Sequence, residues 1–374
     1  MKIEDICTRI CSGGTPKSGK AEYYENGTIP WLNTKEINFN RIQATEAFIT
    51  EEGLNNSSAK WIKPHTVIVA MYGATAGRVA VAEIPLTTNQ ACCNLEVDET
   101  IADYRYIYYW LKQNFDNIAG LANGGAQQNL SAKVIRQIEI NLPDLIKQRS
   151  IANFLDSFDS KIEVNAKLNG YLEELADSLF KRRFGGLPDN ASLSDTADIT
   201  MGQSPVGSSY NEDGVGTVFY QGRAEFGWRY PSQRLSTTEP KRMARCGDVL
   251  MSVRAPVGDL NIAFEDCCIG RGLAAIHSEH PSFCLYLMRS LHGKLDAFNG
   301  EGTVFGSING RALKSLPIAL PEAREIQAFE KEASPIDALI RDNELQSRFL
   351  VALRDALLPR LMSGEIDVSK VALI

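Results

Sequence analysis

Four histidines in 374 residues, and eight cysteines of which no two are spaced Cys-x-x-Cys, leave little from which to build a structural zinc site. The cysteines are Cys7, Cys11, Cys92, Cys93, Cys246, Cys267, Cys268 and Cys284, and the adjacent pairs Cys92-Cys93 and Cys267-Cys268 fall in apolar stretches. Free thiols there are expected to act as small hydrophobes. No apolar run approaches the ~20 residues a membrane-spanning helix needs. The opening Met1-Lys2-Ile3-Glu4-Asp5-Ile6 carries acid where a signal peptide carries its apolar core, so a cytoplasmic protein is expected. Positive charge is also scarce: 39 Lys and Arg stand against 46 Asp and Glu, for a net charge of −7. That argues against a protein that grips a polyanion by itself. Locally the balance reverses, because Arg223, Arg229, Arg234, Lys241, Arg242 and Arg245 crowd a short span.

Catalytic arrangements are missing too. The run Gly14-Thr15-Pro16-Lys17-Ser18-Gly19-Lys20-Ala21 approaches a phosphate-binding loop, but Ala21 has no hydroxyl for magnesium and the run leads to Pro30 rather than into a helix. The glycine loop and Asn/Asp-Pro-Pro-aromatic turn of a methyltransferase, a Pro-Asp…Asp/Glu-x-Lys nuclease constellation, a nucleophile elbow and His-Glu-x-x-His are all absent. A binding protein is expected, with no catalytic residue, cofactor or metal of its own.

What is present is a duplication. A globular stretch of about 140 residues runs into a long heptad-like helix, and the order then repeats. At an offset of 178, Leu142-Pro143 matches Leu320-Pro321, Ile151 matches Phe329, Asp159 matches Asp337, Ile162 matches Ile340 and Asn165 matches Asn343. Within the globular stretches, Thr66–Met71 and Val79–Ala82 read as strands about the small-residue turn 73–78, and Tyr104–Asn114 reads as a helix. Strands 248–253 and 261–264 about the turn 254–258, then a helix over 283–291, repeat that order, with Gly77 matching Gly258. The expected boundaries are 1–143 for the first module, 144–185 for the first helix, 186–321 for the second module, and 322–374 for the second helix and tail.

The first helix places Ile151, Leu155, Phe158, Ile162, Asn165, Asn169, Leu172, Ala176 and Leu179 alternately four and three apart, the coiled-coil period. The second places Phe329, Ala333, Ile336, Ile340, Asn343, Ser347, Leu350, Arg354, Leu357 and Leu361 equivalently, with Pro335 expected to kink it or delay its start. A buried Asn fixes register because a slipped pairing strands its amide among apolar groups. Asn165 and Asn343 lie near mid-helix, so antiparallel or parallel pairing would match them, unless each helix packs only on its own module; antiparallel pairing is expected because it sets one module at each end and relates the two by a pseudo-two-fold axis. The fold class is thus α+β: two α/β modules joined by two long helices in an antiparallel coiled coil. At 1.5 Å per residue a forty-residue helix is about 60 Å long, enough to act as a ruler between two half-sites on a duplex.

Several strings resemble one family. Ser12-Gly13-Gly14-Thr15-Pro16 with Ile29-Pro30-Trp31-Leu32-Asn33-Thr34-Lys35-Glu36-Ile37, and Met201-Gly202-Gln203-Ser204-Pro205 with Phe219-Tyr220-Gln221-Gly222-Arg223-Ala224-Glu225-Phe226-Gly227, open the two modules. Leu142–Ile151 enters the first helix and Leu361-Met362-Ser363-Gly364-Glu365-Ile366 follows the second. In this order they resemble the specificity subunits of type I restriction-modification systems, over essentially the whole chain. Residues 320–327 depart from the helix-entry pattern.

The resemblance implies that each module is a target-recognition domain reading half of a split, asymmetric site on double-stranded DNA. It also implies that the helices set the gap and dock two methyltransferase subunits. Those partners would carry S-adenosylmethionine and flip out the target adenine, and a restriction or translocase subunit can join. Since major-groove readout favours Arg or Lys on guanine and Asn or Gln on adenine, the candidate DNA contacts of the first module are Lys17, Lys20, Thr34, Lys35, Tyr72, Thr75, Arg78, Gln127 and Gln128. Those of the second are Tyr210, Gln221, Arg223, Arg229, Arg254 and Arg271. The same residue types also stabilise loops. The competing reading is a non-catalytic coiled-coil scaffold that binds proteins; an enzyme with an unfamiliar site is the third.

Overall fold

The computed structural model describes residues 1–121, 130–300 and 306–368. The chain divides into two compact units, one of residues 1–163 with 346–374 and one of residues 164–345. Each unit thus takes a module with part of both long helices, Leu145–Phe184 and Ala323–Met362.

In the first unit a five-stranded sheet runs in the order Cys7–Ser12, Cys92–Val97, Val67–Ala70, Val79–Ala82, Asn40–Ile42. The apolar runs that look like strands in the sequence are buried on both faces, so they carry no polar alternation. Val67, Val69, Val79 and Val81 face a core that includes Ile151 and Leu155 of the first long helix and Leu358 and Leu361 of the second. Ile68, Ala70, Ala80 and Ala82 face the opposite core, towards a four-stranded sheet of Ala47–Ile49, Ile29–Leu32, Leu86–Thr88 and Trp61–Ile62.

The second unit repeats this plan. Asp198–Met201, Leu273–His277, Val249–Ser252 and Leu260–Ile262 form one sheet in the order of the first four strands above. Val249, Met251, Ala274 and Ile276 face Ala176 and Phe180 of the first long helix and Phe329 and Ala333 of the second, while Leu250, Leu273 and Ala275 face the other core. In the outer sheets of both units the central pair is parallel: Trp31 lies beside Thr87, and Phe219 beside Cys268. Gly77 and Gly258 both have positive φ, and a Cβ on either would press at 3.0–3.3 Å on the side chains behind it, Phe115 and Ala119 or Leu295. These glycines let the matching turns pack closely.

Within each unit the helix segments run antiparallel. Asp159 meets Arg354 in the first, while Asn165 meets Asn343 and Arg183 meets Glu332 in the second. All the expected seam residues are buried or half-buried. Phe180 and Leu358, also 178 apart, are buried beyond them. The register is pinned by amides: Asn343 Nδ2 donates to Asn169 Oδ1 at 2.8 Å, Asn165 Nδ2 to the Asn343 carbonyl at 3.2 Å, and Asn169 Nδ2 to the Ile340 carbonyl at 3.4 Å. The second helix begins at Ala323, upstream of Pro335, so its start is not delayed. Ile326, Phe329 and Ala333 anchor that first part, and Pro335 itself is exposed, so the carbonyl it leaves without a helical donor has access to water.

All eight cysteines are free. Burial pushes the thiols of Cys93, Cys267 and Cys284 up to about 12, which keeps them protonated and inert. Among the described residues, no helix is long and apolar enough to cross a membrane.

Candidate nucleic-acid interface

The modules are fastened to the helices by polar contacts that follow the repeat. In the first unit the Tyr109 hydroxyl donates to Asp159 on the first helix, and Lys112 pairs with Asp355 on the second at 3.6 Å. In the second unit, Tyr286 donates to Asp337 on the second helix at 2.9 Å, and Arg289 pairs with Asp177 on the first at 3.5 Å. The module residues are 177 apart and the carboxylates 178 apart. Each module therefore binds its own helix through a tyrosine and the other helix through a cation.

Arginines lock these clamps. Arg41 and Arg105 reach Asp156, whose carboxyl is raised by burial against the opposing pull of Arg41. Arg229 pairs with Asp337 and, at 3.2 Å, with Glu173. It is only 3% exposed. Burial alone works against its charge, but Asp337 and Tyr286 beside it hold its pKa above the ordinary arginine value. This corrects the expectation that Arg229 meets DNA. A run of arginines in sequence does not tell the one that neutralises helix carboxylates from those that face water.

Four other second-module candidates converge. Gln221, Arg223, Arg254 and Arg271, with Ser204 and Ser252, line a concavity of about 250 Å³. Arg223 opens the short turn Arg223–Glu225, which is held by Glu225: its carboxylate accepts from the Gly222 backbone N–H at 3.4 Å and from Arg234 at 3.0 Å. Arg254 follows strand Val249–Ser252, and its loop is closed by Ser252, whose hydroxyl donates to the Pro256 carbonyl at 2.7 Å and accepts from Asp259 N–H at 2.9 Å. Arg271 sits between Gly270 and Gly272, where Cβ atoms would stand 2.6 and 3.1 Å from the Gln221 carbonyl oxygen. Only glycine allows that approach without a shift. Arg223 is paired with Asp259. Among the described residues, Arg254 and Arg271 have no carboxylate partner. Tyr210 lies apart from this group: its hydroxyl donates to the Pro205 carbonyl at 3.0 Å and its ring packs on Phe219.

In the first module, Thr34 and Lys35 lie on the turn Thr34–Glu36, closed by Glu36 accepting from Asn33 N–H at 3.0 Å. Tyr72 precedes the turn Gly73–Thr75 and is 40% exposed, and the Thr75 hydroxyl faces the Tyr72 carbonyl. Arg78 joins the two loops by donating to Asn38 Oδ1 at 2.9 Å. Lys35 is paired with Glu46. Lys17 and Lys20 are exposed on a separate loop, stapled by Trp31 Nε1 donating to the Gly14 carbonyl at 2.9 Å and by the Tyr24 hydroxyl donating to the Pro16 carbonyl at 2.6 Å. Lys20 also pairs with Glu22 and lies over the Tyr23 ring. Gln127 and Gln128 lie outside the described residues.

Comparison with known proteins bears on this arrangement. A family model described as the type I restriction modification DNA specificity domain matches residues 1–174. The chain is similar to the "Putative type I restriction enzyme MjaX specificity subunit" of Methanocaldococcus jannaschii, 34% identical over 266 residues, 65% of this chain and 62% of that protein. That match spans less than two thirds of the relative's length. It is also similar to the type I restriction enzyme MjaIX specificity subunit of the same organism, at 26% identity over 412 aligned positions, 99% of this chain and 93% of that protein. Among solved structures it shares the fold of the type I restriction-modification S subunit from M. genitalium, with a TM-score of 0.61 at 17% identity over 96% of this chain and 95% of that one. Residues 1–174 thus match a type I restriction-modification DNA specificity domain, and the chain as a whole is similar to type I specificity subunits.

Within the first module, sequence reasoning passed over Thr15, Asn33, Asn89 and Gln90. Thr15 bonds to Gln90, and Asn89 Nδ2 donates to Asn33 Oδ1 at 3.4 Å, making a polar cluster in the first module. The signal was available in the repeat. Thr15, Asn33 and Thr34 fall 189 residues before Ser204, Gly222 and Arg223, while Gly73 and Gln90 fall 181 before Arg254 and Arg271. The cluster occupies the same strand ends as the arginine-lined concavity of the second module. Glu36 and Glu225, which hold the paired turns, went unnoticed for the same reason.

Proposed function

We propose that this chain selects an asymmetric, bipartite site on double-stranded DNA, one module reading each half, and holds two methyltransferase subunits on it. The observation that carries the reading is the contrast between what repeats and what does not. The clamps recur almost residue for residue, as do two exposed aromatics on the helices, Tyr171 (69% exposed) and Phe349 (66%), which are again 178 apart. Exposed apolar anchors at equivalent positions suit two copies of one partner. The strand-end groups differ between modules, as two readers of different sequences require.

The chain itself performs no chemistry and binds no cofactor. S-adenosylmethionine belongs to the methyltransferase subunits, which flip the target adenine, and a restriction or translocase subunit joins the same core. The complex works in the cytoplasm, and the two long helices set the gap between half-sites. A protein-binding scaffold would have no use for unpaired arginines beside amides and hydroxyls at strand ends. Co-expressing the chain with its methyltransferase subunits and mapping methylated adenines on plasmid DNA tests the reading. A two-part asymmetric motif is expected, and methylation without sequence selection sinks it.

A further inference from the structure

Resting on that proposal, we infer that the half-site read by the second module contains guanine, and that Arg254 and Arg271 are the side chains that recognise it. Both arginines are exposed and have no carboxylate partner among the described residues, at the rim of a concavity that is also lined by Gln221 and Ser204. Arginine meets guanine O6 and N7 with two parallel hydrogen bonds, which adenine, carrying a donor at that edge, does not accept. The Gly270 and Gly272 backbone seats the Arg271 loop tightly against Gln221, so its starting point is fixed. Fixed loops suit base reading better than a loose electrostatic grip.

Phosphate contacts have another place. A second concavity of about 730 Å³ is lined by Arg242, Arg311 and Lys314 with serine and threonine hydroxyls, and by no carboxylate among the described residues. Along the chain the two are close, since Met201 of the second lies three residues before Ser204 of the first and Arg254 bridges Ser307, three residues before Gly310. Cations and hydroxyls are among the donors that hold a nucleic-acid backbone. The first module places Thr34, Gly73 and Gln90 where the second has Arg223, Arg254 and Arg271. Recognition through this arginine pair is thus a property of one half only.

The test uses the chain co-expressed with its methyltransferase subunits in cells carrying a plasmid library of randomised duplex, read by methylation-sensitive sequencing. Arg254→Ala should relax one G·C position in one half by roughly ten- to a hundredfold. Arg271→Gln should turn another towards A·T, and Arg271→Lys should lose discrimination while keeping charge. The other half and the spacer should stay as they were. Arg311→Ala with Lys314→Ala should instead lower methylation at every sequence and flatten its salt dependence. If the variants at Arg254 and Arg271 also lower methylation uniformly, or the affected half holds no G·C pair, the inference is overturned while a bipartite motif remains. If the unaltered complex selects no motif, the proposed function falls first and takes this inference with it.

Discussion

Tyr286 donates its phenolic hydrogen to Oδ1 of Asp337 at 2.9 Å, and the repeat places Tyr109 on Asp159 in the same way. The bond is made twice because each module must be seated on the helix that follows it. Its recurrence ties a module helix, Tyr104–Gln113 or Pro281–Ser290, to a long-helix carboxylate 50 or 51 residues on.

Tyr286→Phe and Tyr109→Phe should each lower stability by about 1–3 kcal/mol, since a charged acceptor loses its donor in a partly buried place. Burial, joined by the nearby carboxylates, raises the pKa of both tyrosines above the ordinary value of about 10. The folded state then holds these protons at a pH where the unfolded state releases them. Their stabilisation is complete below pH ~10 and is lost as pH rises above it. Urea titrations at pH 8 and above pH 10 should show a smaller alkaline loss in the Phe variants than in the unaltered chain.

Arg229→Ala should cost about 3–5 kcal/mol, the penalty for stranding buried carboxylates by removing their partner, and should leave the methylated motif unchanged. Arg223→Ala should do the reverse. Its pairing with Asp259 is half-exposed and worth at most about 1 kcal/mol, while selectivity relaxes in one half only. Thermal melts with motif mapping on the same two variants separate the roles. A motif altered by Arg229→Ala would return that residue to the recognition surface.

Much of this was legible beforehand because helix seams and buried strands are written in apolar spacing. Ile151, Leu155 and Asn165 fall on one heptad stripe, and Val67–Ala70 is apolar throughout because both of its faces are covered. The proposed recognition surface was only partly legible. Arg223, Arg254 and Arg271 could be singled out as loop arginines, but their convergence depends on three strand ends meeting, which no local pattern encodes. Arg229 was misplaced for a related reason: its carboxylates, Glu173 and Asp337, lie 56 and 108 residues away. The meeting of Asn165 with Asn343 was legible from their mid-helix places, while the further bond from Asn343 to Asn169 was not.

Tyr171→Ser and Phe349→Ser should each remove one methyltransferase copy and leave the other. The two aromatics are exposed at equivalent repeat positions, and burying such an anchor at a partner surface contributes on the order of 2 kcal/mol or more. Native mass spectrometry should find one partner copy bound in either single variant and none in the double. Loss of both copies from a single substitution would mean that the helices do not carry two independent docking positions.

Lengthening both long helices by one heptad, after Ala166 and after Glu344, should widen the spacer without changing either half-site. Seven residues add about 10 Å at 1.5 Å per residue and bring the apolar stripe back to nearly the same face. At 3.4 Å per base pair that is about three base pairs. The Asn169–Asn343 bond survives, because both residues lie on the same side of the two insertions. A heptad in one helix alone slides the partner seam by two turns, leaving buried amides opposite apolar groups, and should abolish specific methylation. Motif mapping on the doubly lengthened chain decides the matter: an unchanged spacer would show that something other than helix length sets the distance between the half-sites.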